Sequence, residues 1–98
     1  MIWSVYMILC TDNTLYTGIT LDVFRRFKQH ETGQGAKYFR GRQPKQLVYL
    51  ESGHNRSTAT KREIDLKKLN RLEKAKLIDS DSNKLTEFLN ENVSSAQS

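Results

Sequence analysis

Two apolar segments, residues 2–10 and 15–19, flank the polar run Thr11-Asp12-Asn13-Thr14, and this arrangement constrains the fold more than any other stretch. Both segments are rich in β-branched and aromatic residues, which suit a pleated, half-buried surface, and a short polar connection between such runs predicts a hairpin. Loop length then sets which side chains meet, because a one-residue slip moves every side chain to the opposite face. With all four residues in the loop, Tyr16 pairs with Leu9 and faces away from Tyr6. With three, and Asn13 in the left-handed conformation that Asn tolerates, Tyr16 pairs with Ile8 and shares the face of Tyr6. The second arrangement is expected.

Asp22 is placed to cap a helix running to about His30, and Gly33 and Gly35 supply its stop and exit. At about 100° per residue, Val23, Phe24 and Phe27 form its apolar side, Arg26 and His30 stand together at the edge of that side, and Arg25 points to solvent. Two phenols, a guanidinium and an imidazole gathered where a hairpin meets a helix form a site rather than plain core, since each polar head would otherwise need a partner.

The loop Gly35-Ala36-Lys37-Tyr38-Phe39-Arg40-Gly41-Arg42 interleaves basic and aromatic residues. It suits phosphate contact and base stacking, and equally suits a solvated loop whose Tyr and Phe tuck under the sheet. After Pro44, residues 46–51 predict a third strand. Ser57 is a candidate cap for a second helix to about Leu69, Asn70 with Glu73 for a third to about Ile78, and Leu85, Phe88 and Leu89 space a short last helix. Residues 1–92 are expected to form one domain and 93–98 a flexible tail. On the second helix Glu63 falls near the inward stripe of Ala59 and Leu66; by itself it reads first as an i,i+4 partner of Lys67 and second as a metal ligand.

A chain of 98 residues buries one modest core, and its formal charge of +5 favours a polyanionic partner. The single Cys10 excludes an intramolecular disulfide and a cysteine metal cluster. No apolar run reaches the length of about 20 residues that a membrane span needs, and the N-terminus lacks the pattern of a secretory signal, so a soluble, cytoplasmic protein is expected.

In order along the chain, Ser4-Val5-Tyr6, Tyr16-Thr17-Gly18, Arg26, His30 and Glu63 resemble the signature of the GIY-YIG endonuclease superfamily, in its small stand-alone branch. The run Gly35 to Tyr38 with Arg40-Gly41-Arg42, then Leu47-Val48-Tyr49, resembles that branch too, and the likeness covers residues 2–78. It implies an α+β fold, a small three-stranded antiparallel sheet flanked by helices, and a metal-dependent endonuclease that hydrolyses phosphodiesters in nucleic acid, DNA foremost. By the same resemblance Tyr6 and Tyr16 prepare the attacking water, Arg26 binds the scissile phosphate, His30 orients water or relays a proton, and Glu63 holds one Mg²⁺ or Mn²⁺. Lys37, Tyr38, Arg40 and Arg42 would then track the nucleic-acid backbone. Two positions depart from the pattern: Ser4 replaces the first glycine, and Ile19 stands where some repair-nuclease relatives carry a lysine.

Overall fold

The computed structural model describes residues 1–34 and 36–97, with side chains as far as Glu91. Gly35, expected as the exit from the first helix, lies outside them. The hairpin forms from β1 (Trp3–Cys10) and β2 (Leu15–Thr20), and β3 (Pro44–His54) joins the other side of β1, giving an antiparallel sheet of order β2-β1-β3. With β1 central, its alternate residues divide the core. Tyr6, Ile8 and Cys10 pack with Val23, Phe39 and Leu50 on one face, while Val5 and Met7 pack with Tyr49, Ala59 and Leu66 on the other.

The first face is covered by α1 (Val23–Glu31), through Val23 and Phe27, and by α4 (Leu85–Gln97), through Leu85 and Phe88. The second is covered by α2 (Arg56–Lys67), through Ala59 and Leu66, and by α3 (Arg71–Ile78), through Leu77 and Ile78. The architecture is the expected α+β fold. No helix among the described residues is long and apolar enough to cross a membrane.

Several boundaries differ from expectation for local reasons. β3 is longer than 46–51 at both ends: Pro44 is buried opposite Cys10, and Gly53, at φ 87°, lies in a register shift between the pairs Trp3–His54 and Val5–Glu51. Such a bulge lets a strand continue through a glycine that otherwise reads as its end. The second helix is capped by Asn55 rather than Ser57. Asn55 accepts from the Thr58 amide at 2.8 Å and Thr58 Oγ1 accepts from the Asn55 amide at 3.1 Å, a reciprocal cap built with Thr in place of the usual Glu or Gln. Asn70 and Glu73 cap α3 as expected. The backbone of α4 runs through most of the segment expected as a tail, 93–98, whose side chains lie outside the described residues.

Candidate active site

The hairpin loop places both phenols together. The Asn13 amide donates to the Cys10 carbonyl and the Cys10 amide to the Thr14 carbonyl, each at 2.9 Å, and Asn13 takes φ 69°. Three residues therefore loop and Ile8 pairs with Tyr16, so Tyr6 and Tyr16 share a face with ring centroids 6.1 Å apart. Gly18 pairs with Tyr6, and its bare Cα leaves the space across which the Tyr6 ring lies.

Helix α1 brings the next two groups. Asp22 Oδ1 accepts from the Arg25 amide at 3.2 Å, capping the helix and fixing its entry, and one turn separates Arg26 from His30. His30 is 1 % exposed, and its Nε2 lies 2.8 Å from Tyr6 Oη. Burial, and then the Arg26 charge, lower the imidazole pKa to about 4, so the ring is neutral at neutral pH. The Tyr6 phenol is pushed far up, by burial first and Tyr16 second. Burial and then Glu63 raise Tyr16, whereas its interaction with the Tyr6 hydroxyl eases its ionisation. His30 Nε2 and Tyr6 Oη share a hydrogen bond whose direction follows the imidazole tautomer, and Nδ1 has no hydrogen-bond partner among the described residues.

Residues 37–40 form a 3₁₀ turn that closes the other side. Phe39 is buried, 4.2 Å from the His30 ring and 4.8 Å from the Tyr16 ring between centroids, and Tyr38 packs 5.2 Å from Tyr16. The tucked reading of this loop holds for both aromatics. Of the other residues expected on nucleic acid, Lys37 and Arg40 are exposed, while Arg42 is engaged: its Nε donates to Asp12 Oδ2 at 2.7 Å and its guanidinium lies 4.2 Å over the Tyr38 ring.

Glu63 arrives from α2, on the opposite side of the sheet, past the edge strand β2. It lines a cleft of about 320 Å³ together with Tyr6, Tyr16, Ile19, Arg26, His30 and Ala36. Its side chain is 19 % exposed and its carboxylate pairs with Lys67 Nζ at 3.3 Å, so the i,i+4 partnership read from sequence is present. Arg26 makes no side-chain hydrogen bond or ion pair among the described residues and is the one cation lining the cleft. Among the described residues there is no group of three or more His, Cys, Asp or Glu suited to a metal. A lone carboxylate oxygen still fits Mg²⁺ or Mn²⁺, which keep several waters and take one or two protein carboxylates beside substrate phosphate.

The family model described as the GIY-YIG catalytic domain matches residues 2–76. The chain belongs to the GIY-YIG family. Within that family it is similar to a UPF0213 protein of Natronomonas pharaonis, 47 % identical over 74 residues, spanning 76 % of this chain and 87 % of the relative. A UPF0213 protein of Clostridium perfringens is 49 % identical over 78 residues, spanning 80 % and 84 %. The solution structure of a UPF0213 protein from Bacillus halodurans has a similar fold, with a TM-score of 0.54 at 40 % identity, covering 84 % of this chain and 87 % of that one. GIY-YIG domains are nuclease-type domains that act on nucleic acid, which matches the basic charge of this chain.

Three contributors to the GIY-YIG cleft were not evident in sequence as site residues. Phe39 was one of two aromatics in an open loop. Gly18 belonged to a motif without a steric reason. A network behind α2 was unread: Glu51 accepts from Tyr49 Oη at 2.6 Å and from Arg62 Nε at 3.1 Å, and pairs with His54 Nε2 at 2.7 Å. Arg62 directly precedes Glu63, so this network ties the glutamate-bearing helix to β3. Its members span fourteen positions from Tyr49 to Arg62 and match no short motif; only the polar residues on a strand that also carries the buried Leu50 hinted at it.

Proposed function

We propose that this protein is a metal-dependent endonuclease that hydrolyses a phosphodiester bond in DNA, one strand per site. The reading rests on one observation: two phenols, an unpaired guanidinium and a single carboxylate converge on one cleft from β1, β2, α1 and α2. A phosphodiester repels nucleophiles by its own charge, so a site that cuts it needs a cation for the phosphate and a base for water. Arg26 is permanently charged and has both edges of its fork free for phosphate oxygens. Glu63 would hold a single Mg²⁺ or Mn²⁺, whose contribution when bound is to stabilise the leaving 3′ oxygen.

Tyr16 is the phenol suited to accept the proton of the attacking water. Burial and then Glu63 raise its pKa, but the Tyr6 hydroxyl and Arg26 both ease its ionisation, whereas Tyr6 is raised further, by burial and then by Tyr16, and is eased by Arg26 alone. Water forms the new bond to phosphorus as its proton passes to the ionised Tyr16 phenolate, the bond to the 3′ oxygen breaks, and that oxygen takes up a proton from solvent. His30, neutral and bonded to Tyr6, acts through that tyrosine by fixing the direction of its hydroxyl.

Incubating the pure protein with supercoiled, branched and single-stranded DNA in Mg²⁺ or Mn²⁺, beside Arg26→Ala and Glu63→Ala, tests the reading. Cleavage that disappears in both variants is expected. Binding without cleavage under every metal would instead make the protein a non-catalytic nucleic-acid-binding module, and cleavage surviving both variants would trace to a contaminant.

A further inference from the structure

Helix α1 has a second polar surface that the chemistry above does not use. At about 100° per residue, the sector turning away from Arg26 carries Gln29, then Arg25, then Thr32, then Lys28, spanning about 100° and ending about 160° from Arg26. Gln29, Arg25 and Lys28 offer hydrogen-bond donors, two of them as cations, while the Thr32 hydroxyl donates to the Gln29 carbonyl at 3.0 Å. Glu31, the carboxylate within the helix, lies beside Phe24, about 60° beyond Lys28 and away from Arg26, Gln29 and Arg25.

The surface is grooved, and one of the grooves shares Arg26 with the cleft. Arg26 lines the cleft and also a groove of about 200 Å³ between α1 and the stretch from Thr20 to Asp22, with Trp3 at its wall. Arg25 and Gln29 line that groove and a further one of about 350 Å³ that runs to Lys28 and Thr32. Asp22 is the one carboxylate lining either groove, and one of its oxygens is committed to the helix cap. Arg25 and Lys28 are exposed and make no side-chain hydrogen bond or ion pair among the described residues. In the basic loop Arg42 is paired with Asp12, which leaves Lys37 and Arg40 as its exposed cations.

We infer that the nucleic-acid strand leaves the cleft along this face of α1, its flanking phosphates held by Arg25 and Lys28 and its path passing Trp3. This rests on the nuclease reading and adds where the bound strand lies. Cations spaced along one continuous groove beside the scissile phosphate hold backbone charge without reading bases, so the track is indifferent to sequence.

Trp3 is the one tryptophan of the chain, so its fluorescence reports on the groove directly. The test titrates an oligonucleotide of about twenty nucleotides into Glu63→Gln protein, by anisotropy across a salt series and by Trp3 emission. Arg25→Gln with Lys28→Gln is expected to lower affinity about tenfold and to shrink the salt slope by about 1.5, the value for two lost phosphate contacts. Binding should also quench Trp3, Arg25→Lys should restore the slope, and Lys37→Gln with Arg40→Gln should cost less. An unchanged slope in the α1 pair while the parent protein binds overturns the inference, as does a larger loss in the Lys37 and Arg40 pair. No oligonucleotide binding by the parent protein at low salt sinks the nuclease reading and this inference with it.

Discussion

Gly18 lies directly under the ring of Tyr6: a Cβ at position 18 would stand 2.6 Å from Tyr6 Oη and 2.7 Å from its Cζ. Tyr6 is 1 % exposed, so its ring has nowhere to withdraw. Gly18→Ala is therefore expected to push the ring off His30 and Tyr16, with an overpacking cost of about 1–3 kcal/mol. Thermal unfolding checks the cost, and near-ultraviolet circular dichroism checks the displaced tyrosine. A variant that unfolds like the parent and keeps the same tyrosine signal would show that the strand pair tolerates the methyl.

His30 makes stability depend on pH in a defined window. Its pKa falls from about 6.5 in the unfolded chain to about 4 in the fold, so as pH drops the unfolded chain takes up the proton first. The stability that neutral His30 contributes is complete above about 6.5 and is lost as pH falls toward 4. Between pH 7.5 and 5 the expected loss is about 2 kcal/mol, at 1.36 kcal/mol per pH unit. Denaturant unfolding at several pH values should show that slope in the parent and a flat profile over the same range in His30→Gln. An equal slope in both would assign the effect to other groups.

Much of this was legible in the chain. The three-residue loop with Asn13 in the left-handed region put Tyr16 opposite Ile8, since strand alternation leaves only two choices and turn chemistry selects one. Arg26 and His30 followed from helical periodicity. What stayed hidden was long-range. Nothing local says that Glu63, on the other side of the sheet, comes round β2, or that Phe39 rather than solvent walls the imidazole. The end of β3 was missed because a bulge glycine looks like a terminator, and the Asn55 cap because its partner is Thr.

Asn83 is another long-range feature, and all four of its hydrogen-bonding positions are filled. Its Nδ2 donates to the Val48 carbonyl at 2.9 Å and the Ile78 carbonyl at 2.8 Å, while Oδ1 accepts from the amides of Leu50 at 3.2 Å and Leu85 at 3.1 Å. One side chain thereby joins β3, the end of α3 and the start of α4. Asn83→Ala is expected to cost about 3 kcal/mol, from several hydrogen bonds of about 1 kcal/mol each and carbonyls left without partners. Asn83→Asp keeps the size but loses both donors, so it should rescue little of that loss in equilibrium unfolding. Full rescue by Asp would mean that only the two acceptor bonds matter.

The Tyr16 assignment predicts a pH–rate profile. With its phenol raised above the ordinary value, the ionised fraction near neutrality is small and grows tenfold per pH unit. Single-turnover cleavage is expected to climb from pH 6 to about 9 with a logarithmic slope near one, and Tyr16→Phe should lower the rate at least about a hundredfold, within the usual range for a lost base. A Tyr16→Phe enzyme retaining the parent's rate and profile would move the base elsewhere.

Under the proposed function Lys67 and a divalent ion would compete for the same carboxylate, and magnitudes decide the winner. A pair one helical turn apart, with its lysine 54 % exposed, contributes about 0.3–0.5 kcal/mol and shifts an equilibrium only about twofold. Under the proposed function Lys67 would temper the Glu63 charge until metal and substrate bound, and would not close the site. Lys67→Ala is expected to lower the Mn²⁺ concentration for half-maximal cleavage about twofold while leaving the maximal rate nearly unchanged. Glu63→Gln should abolish the metal response, since an amide oxygen without charge binds a hard dication poorly. A metal titration of all three proteins separates these effects. A Lys67→Ala protein needing more Mn²⁺ than the parent would show that the lysine supports the bound state, and a Glu63→Gln protein with an unaltered titration would remove Glu63 as the ligand.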